Sequence, residues 1–389
     1  MVRLLLALAL AAMSTFAFAL TAFADYHEVW VVDQADAANG GDRLYIFKGP
    51  GIAPEVVPLG TAAQGVGDGA GNRAHLLLFN NAHTHGILAN VATGHVYIIR
   101  ASDRRIVASI DVGDQAHGAM ASPDDRWILV ANQNGKRLAR IRADFQNEVF
   151  TYEPAADLNL GALEDPDHPD NAPICPVMYV GGHGKAYVTV RGGGMYVVDT
   201  TATPMQATRS YARAEIAPAG CGGVAVDRRV YVNSGSATSG HLHAFNAATD
   251  DLLRSIETTP AGTDAHGMAY VGNGYLWVAN RGDGDNIMVI DLRTWEVVSL
   301  IEDVGPAPDL IDLHPNGNVA YVSLRGPRAL TGGPSAVGQT PGVAVIAIED
   351  GGASGRRVDF WPLGDQSPDS QVDPHGIAVR DSRTDRRTR

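Results

Sequence analysis

The sequence predicts an all-β chain folded as a seven-bladed β-propeller of four-stranded blades, the last closed by strands from both termini. Three observations predict it. Short β-rich segments recur in one fixed order roughly every 40–50 residues. Several repeats open on the same residue types, His-Gly or cysteine. The two ends of the chain carry incomplete repeats that complement each other.

The repeats read as follows. Residues 75–112 hold LLLFN, GILANVA, HVYIIRA and IVASIDV, opened by His75. From His117 come GAMAS, WILVANQ, RLARIRA and EVFTYE. From Cys175 come PVMYV, KAYVTVR, GMYVVDT and a weak fourth near ATRSY. From Cys221 come GGVAV, RRVYVNS, HLHAFNA and LLRSIE; from His266, GMAYV, YLWVANR, NIMVIDL and EVVSLI. Pro308 opens DLIDL, NVAYVSL, VAVIAIE and RRVDFWPL. Each segment is β-branched or aromatic and bounded by Gly, Asn or Asp, the pattern of a strand between turns. HGIAV at 375–379 is a first strand without followers. EVWVVDQ, RLYIFKG and PEVVPLG near the N-terminus are second, third and fourth strands without a first. Joined, they make the seventh blade, and parting the ends then costs strand pairing. Unrelated strands in a β-sandwich would give no such complementarity.

Residues 1–24, MVRLLLALALAAMSTFAFALTAFA, carry a basic start, an apolar run and a small-x-small end before Asp25. That is the pattern of a cleaved secretory leader, so a periplasmic or secreted location is expected. No membrane span is expected after cleavage. The propeller is then expected over 25–381, with DSRTDRRTR ending in a charged tail at 382–389. The net charge is −13, and loss of Arg3 with the leader makes it −14. An acidic chain is poorly suited to nucleic acid, whose phosphates need a basic surface, and is compatible with attracting cations.

Turns such as SPDD at 122–125 and HPNG at 314–317, with second strands ending VANQN, VANRG or YVSLR, resemble the YVTN-type seven-bladed propellers of exported bacterial proteins. The resemblance spans essentially the whole mature chain. It implies the fold and leaves the function open, because propellers of this type host many roles.

In a propeller the first strand of each blade lines a central channel, and the residues opening those strands ring one mouth. Aligning the repeats places His75, His117, Cys175, Cys221, His266, Pro308 and His375 in that ring. Asn90 and Asn132 follow His75 and His117 by 15 residues, and Asn280 follows His266 by 14. Imidazole and thiol are ligands for zinc and copper, and sulfur disfavours calcium or magnesium. Asp264 and Asp373 precede two of the histidines and are expected to accept hydrogen bonds from them, fixing their tautomers. Each His-Gly also has a structural reading, the glycine permitting close packing at a crowded axis. Cys175 and Cys221 open neighbouring repeats and suit either a disulfide or a thiolate pair. An anion or ordered water is another possible occupant of the ring.

The long loops at 61–73, 154–173, 326–342 and 364–373 are expected on the ring's own face, where a periplasmic protein partner or small ligand can dock. The second carries Glu164, Asp165, Asp167, His168 and Asp170, which read as solvated loop residues or as a lid supplying further ligands. His83, His85 and His183 are expected at turns on the opposite face, His241 and His243 on one face of a third strand, and His314 in a turn. No GxSxG, P-loop, HExxH or CxxCH motif occurs, so neither a nucleotide site nor covalent heme is expected. No residue nominates itself as catalytic. The expected role is binding or delivery of zinc or copper at the channel mouth. It is similar in outline to propeller zinc metallochaperones, without their His-rich mobile segment. The alternatives are a copper-dependent oxidoreductase of propeller type and a non-catalytic binding scaffold.

Overall fold

The computed structural model describes residues 27–35, 42–59, 71–178, 184–218, 220–282 and 284–383. The leader and residues 384–389 lie outside them, as do His183 and most of the 61–73 loop. Among the described residues the strands form seven antiparallel blades in a closed ring. Blade 1 runs Ala74–Phe79, His85–Asn90, His95–Arg100 and Ile106–Asp111. Blades 2 to 5 begin with Ala116–Ala121, Pro173–Met178, Gly223–Val226 and Ala265–Gly272. Blade 6 begins with Pro308–Leu313 and ends at Ser354–Pro362. Blade 2 gains a short extra strand, Leu158–Asn159, paired with Arg137–Asp144.

Blade 7 is the expected composite, in the order Pro374–Asp381, His27–Asp33, Arg43–Phe47 and Glu55–Pro58. Val29 pairs with Val379 and His27 with Asp381. The seam is also pinned by side chains: Asp33 Oδ1 accepts from the Asp373 amide at 2.9 Å, and Arg380 reaches Glu28 at 3.5 Å.

Alternation within each strand sends apolar residues to both faces of a blade, so each blade packs on two neighbours. Seven apolar layers result, one per junction. Fully buried Trp30 fills the layer between blades 7 and 1, and Trp277 that between blades 5 and 6. Burying a large apolar side chain contributes about 1.5–3 kcal/mol, so cohesion is spread round the ring.

The first strands carry a local irregularity that sets up the site. In six blades the pairing of first and second strand slips at the channel mouth. The slips fall between Ala74 and Leu76, Ala116 and Gly118, Pro173 and Pro176, Ala265 and Met268, Pro308 and Ile311, and opposite Pro374–Ile377. Such bulges leave one residue out of the ladder and re-aim its side chain. His75, His117, His266 and His375 sit in four of them. Arg73, Gln115, Asp264 and Ala307, each two residues before a ring position, adopt left-handed backbone conformations that turn the chain into the strand.

The glycine after the histidine answers to crowding. A Cβ on Gly267 would lie 2.5 Å from the Asp309 carbonyl oxygen, and one on Gly376 2.5 Å from that of His75. Each inner strand thus presses on its neighbour's ring residue. The structural reading of His-Gly holds for the glycine and leaves the histidine to be explained.

Candidate metal site at the channel mouth

Strand register corrects the expected ring at two positions. Ala265 pairs with Asn280 and Met268 with Val278; in blade 6, Pro308 pairs with Leu324 and Ile311 with Val322. The counterpart of His266 is therefore Asp309, not Pro308. In blade 3, Pro173 pairs with Val190 and Pro176 with Val188, which puts Ile174 at the ring position and Cys175 at the following, glycine position. The ring is His75, His117, Ile174, Cys221, His266, Asp309 and His375. The bulge holds one extra first-strand residue in each of these blades, but the turn joining first and second strands differs in length between blades, so an offset counted from the second strand does not fix the ring position.

Cys175 and Cys221 are joined in a disulfide, with Cα atoms 5.2 Å apart. In this form they offer no thiolate, so the six-membered imidazole and thiol set reduces to four imidazoles. The carboxylates also differ from expectation. Asp264 is taken up by Arg281 at 3.0 and 3.2 Å and by Ser335. Asp373 is held by Arg325 at 2.7 Å through both oxygens and by the Leu330 amide at 2.9 Å. The carboxylate set against the imidazoles is Asp309: Oδ1 lies 2.9 Å from His266 Nδ1, off the line of a well-formed hydrogen bond, and Oδ2 contacts His375 Nδ1. Arg281 and Arg325 each reach Asp309 at 3.1 Å. Two arginines and three aspartates thus form one buried network, which burial alone makes costly and mutual pairing offsets.

The remaining imidazoles are held from behind in the same way. His75 Nδ1 lies 2.8 Å from Gln34 Oε1, which also accepts from Thr331 Oγ1 at 3.0 Å. His117 Nδ1 lies 3.0 Å from the Ile174 carbonyl oxygen. Every Nδ1 therefore faces an acceptor oxygen and carries the proton, which leaves the lone pair on Nε2. His75 Nε2 and His117 Nε2 face each other at 3.2 Å. His375 Nε2 is buried without a hydrogen-bond partner. The His75 ring centroid is 4.1 Å from that of His375, and the His266 centroid 5.4 Å from that of His375.

Burial pushes His117 down to about 3 and His375 down to about 4. Burial, reinforced by His375 and His117, holds His75 well below the usual imidazole range, and His266 is lowered by burial and Arg281. Burial would raise Asp309, but His375, His266, Arg325 and Arg281 hold it well below the usual carboxylate range. Near neutral pH the four imidazoles are thus neutral donors beside an ionised acceptor. Histidine ligands of metals commonly have this arrangement, with a carboxylate or carbonyl fixing the far nitrogen.

A cavity of about 300 Å³ opens over the ring, lined in part by Gln115, Gln133, Arg191, Arg281 and Thr331. The 326–342 loop contributes directly, through Thr331, Leu330 and Ser335. The 154–173 loop does not supply ligands. Its Glu164 pairs with Lys136, Asp170 binds Arg191 at 2.8 Å, and His168 is buried against the Tyr211 carbonyl at 3.0 Å. The opposite channel mouth is mainly apolar, a cavity of about 450 Å³ lined by Leu78, Met120, Val177, Val224 and Ala378, with the carboxyls of Asp312 and Asp381.

The other histidines serve the scaffold. His83 is in a turn, as expected. His85 instead opens a strand and lies buried 3.2 Å from Glu148. His243 is buried between Ser234 and Ser255, and His314 is buried 3.1 Å from His27.

The chain is a seven-bladed β-propeller with a histidine-lined channel mouth. No family model and no curated protein matches it. Many solved structures share its fold. A putative 6-phosphogluconolactonase from Bacteroides uniformis is 13% identical at TM-score 0.63, covering 92% of this chain and 100% of that one. A hydrazine synthase chain from Kuenenia stuttgartiensis is 13% identical at TM-score 0.58, covering 76% and 90%. The dihydro-heme d1 dehydrogenase NirN is 16% identical at TM-score 0.55, covering 92% and 76%. At these identities the likeness is one of fold.

Proposed function

We propose that this is an exported protein that binds one zinc or copper ion at the channel mouth between Nε2 of His75 and Nε2 of His117, with His266 and His375 closing on the ion as it binds, for metal binding or delivery. The observation that carries the reading is the His75–His117 pair. Two lone pairs 3.2 Å apart repel unless a cation lies between or beside them. A proton is a poor candidate, because burial depresses both imidazoles. Turning over the Gln34 amide would give His75 an Nε2 proton, which is the competing relief in the metal-free protein. His117 has no such freedom, since its acceptor is a backbone carbonyl. Neutral nitrogen donors suit zinc and copper better than hard cations.

Export follows from the leader, and the YVTN-type resemblance agrees with it. A second reading, a copper-dependent oxidoreductase, is favoured by the polar cavity over the ring, which has room for a small substrate. The deciding experiment is metal content and affinity of the protein isolated from the bacterial periplasm, beside a His75→Ala/His117→Ala variant. One equivalent of metal in the native protein and its loss in the variant supports the site. Equal, substoichiometric metal in both removes it. Turnover dependent on copper alone would select the oxidoreductase.

A further inference from the structure

The donor atoms of His117, Cys175 and Cys221 lie within 4.8 Å of one another, the one trio of potential metal ligands this compact among the described residues. Strand register explains the cluster. Cys221 stands at the ring position of blade 4, and Cys175 replaces the glycine that follows the ring position of blade 3. The sulfur of blade 3 is thereby placed against that of blade 4 and beside the imidazole of blade 2. Cys221 lines the cavity over the ring, so a small reductant can approach the bridge from solvent, while Cys175 is buried behind it.

We propose that the Cys175–Cys221 bridge is a redox gate on a second, mixed nitrogen–sulfur metal site built from His117 and the two cysteines. The proposal shares His117 with the imidazole site above and deepens that reading. In the closed state the sulfurs are bonded to each other and the ion is left to imidazoles. A dithiol reductant opens the gate: its two electrons and two protons break the S–S bond and give two thiols, and the reductant leaves as its own disulfide. A divalent cation then displaces the two thiol protons to form two metal–thiolate bonds beside the His117 imidazole. Thiolates bind zinc and copper more strongly than neutral imidazole, so the reduced protein retains the ion and the oxidised protein releases it more readily. His117 belongs to both donor sets, so the ion need only shift sideways along the ring.

Cobalt(II) is the probe, because thiolate ligation produces an intense charge-transfer absorption that imidazole ligation does not. Full-length mature protein is titrated with cobalt under anaerobic conditions, oxidised and after dithiol reduction with removal of the reductant. Reduction should introduce the charge-transfer band and tighten binding at least tenfold. A Cys175→Ser/Cys221→Ser variant should show neither change. Unaltered tryptophan fluorescence of the reduced wild-type protein would show that opening the bridge leaves the blades packed, so the result does not depend on the variant folding. Cobalt bound without the band, or with equal affinity in both states, overturns the gate and leaves the imidazole site standing. Cobalt bound only after reduction, with the band, supports the gate and removes the imidazole site. No binding to the reduced protein overturns the gate, and the oxidised titration then decides the imidazole site separately.

Discussion

Asp309 occupies in blade 6 the register position that His266 occupies in blade 5, and its two oxygens reach the Nδ1 atoms of both His266 and His375. One ring member thus supplies no imidazole of its own and orients two others. It is also where Arg281 and Arg325 meet.

Asp309→Asn should therefore act in two ways. It removes the charged acceptor behind two imidazoles, and loss of such an acceptor typically weakens metal binding about 10–100-fold. It also leaves two buried guanidinium groups short of a partner, which costs about 3–5 kcal/mol. Calorimetric titration with zinc and thermal unfolding of the same sample measure the two effects. Full affinity in a destabilised variant would confine Asp309 to the scaffold.

Gln34 offers a subtler test. Gln34→Glu places an acceptor-only group on His75 Nδ1, abolishes the amide rotation that competes with metal binding, and should tighten zinc binding by a few fold. Gln34→Leu removes the acceptor and should weaken it. A site indifferent to both substitutions would mean that His75 is not a ligand.

Acid should destabilise the metal-free protein from pH about 6.5 downward. His117, His375 and His243 are held by burial at about 3, 4 and 4, so between those values and 6.5 the unfolded chain binds more protons than the folded one. Each contributes a loss of up to about 1.4 kcal/mol per pH unit across its window. Asp33 and Asp312 act in the opposite sense. Burial raises both to about 6, so between 6 and the ordinary carboxylate value the folded state takes up protons and gains stability as pH falls. The histidines outnumber them and are shifted as far, so the net slope is a loss. Denaturant unfolding at pH 7, 6 and 5 checks the sign. Alanine at His117 and His375 should flatten the slope.

Gly267→Ala tests the crowding at the axis. Its Cβ would press on the backbone of Asp309 and Leu310, which cannot yield as a side-chain tip can. Destabilisation of about 1–3 kcal/mol is expected, with zinc affinity reduced because Asp309 is displaced. By contrast, Gly51→Ala meets nothing within 4 Å but lies at φ +69°, so it should strain its turn and leave zinc affinity unchanged.

The blades and their order are legible in the sequence because each strand carries its own alternation and turn residues, and because HGIAV and EVWVVDQ each lack what the other supplies. The four histidines were legible as a set once the repeats were aligned. Asp309 and Ile174 were not, since the turn between first and second strands varies in length from blade to blade and leaves no fixed offset to count by. PDLIDL offered one sign, an acid where the other repeats open on imidazole or thiol. Asp264 and Asp373 were misread because sequence proximity to a histidine says nothing about Arg281 and Arg325, which arrive from second strands. Gln34 had no signal at all, its contact with His75 being made across the junction of blades 7 and 1.

That junction has a consequence for biogenesis. Gln34 enters with the N-terminal strand, His375 with the last strand of the chain, and they flank His75 from the same composite blade. The donor set is therefore the final thing assembled. A chain still short of its last strand lacks His375, and one that has lost either end holds an incomplete ring. If the ring binds metal as proposed, uptake would then report that the ring has closed.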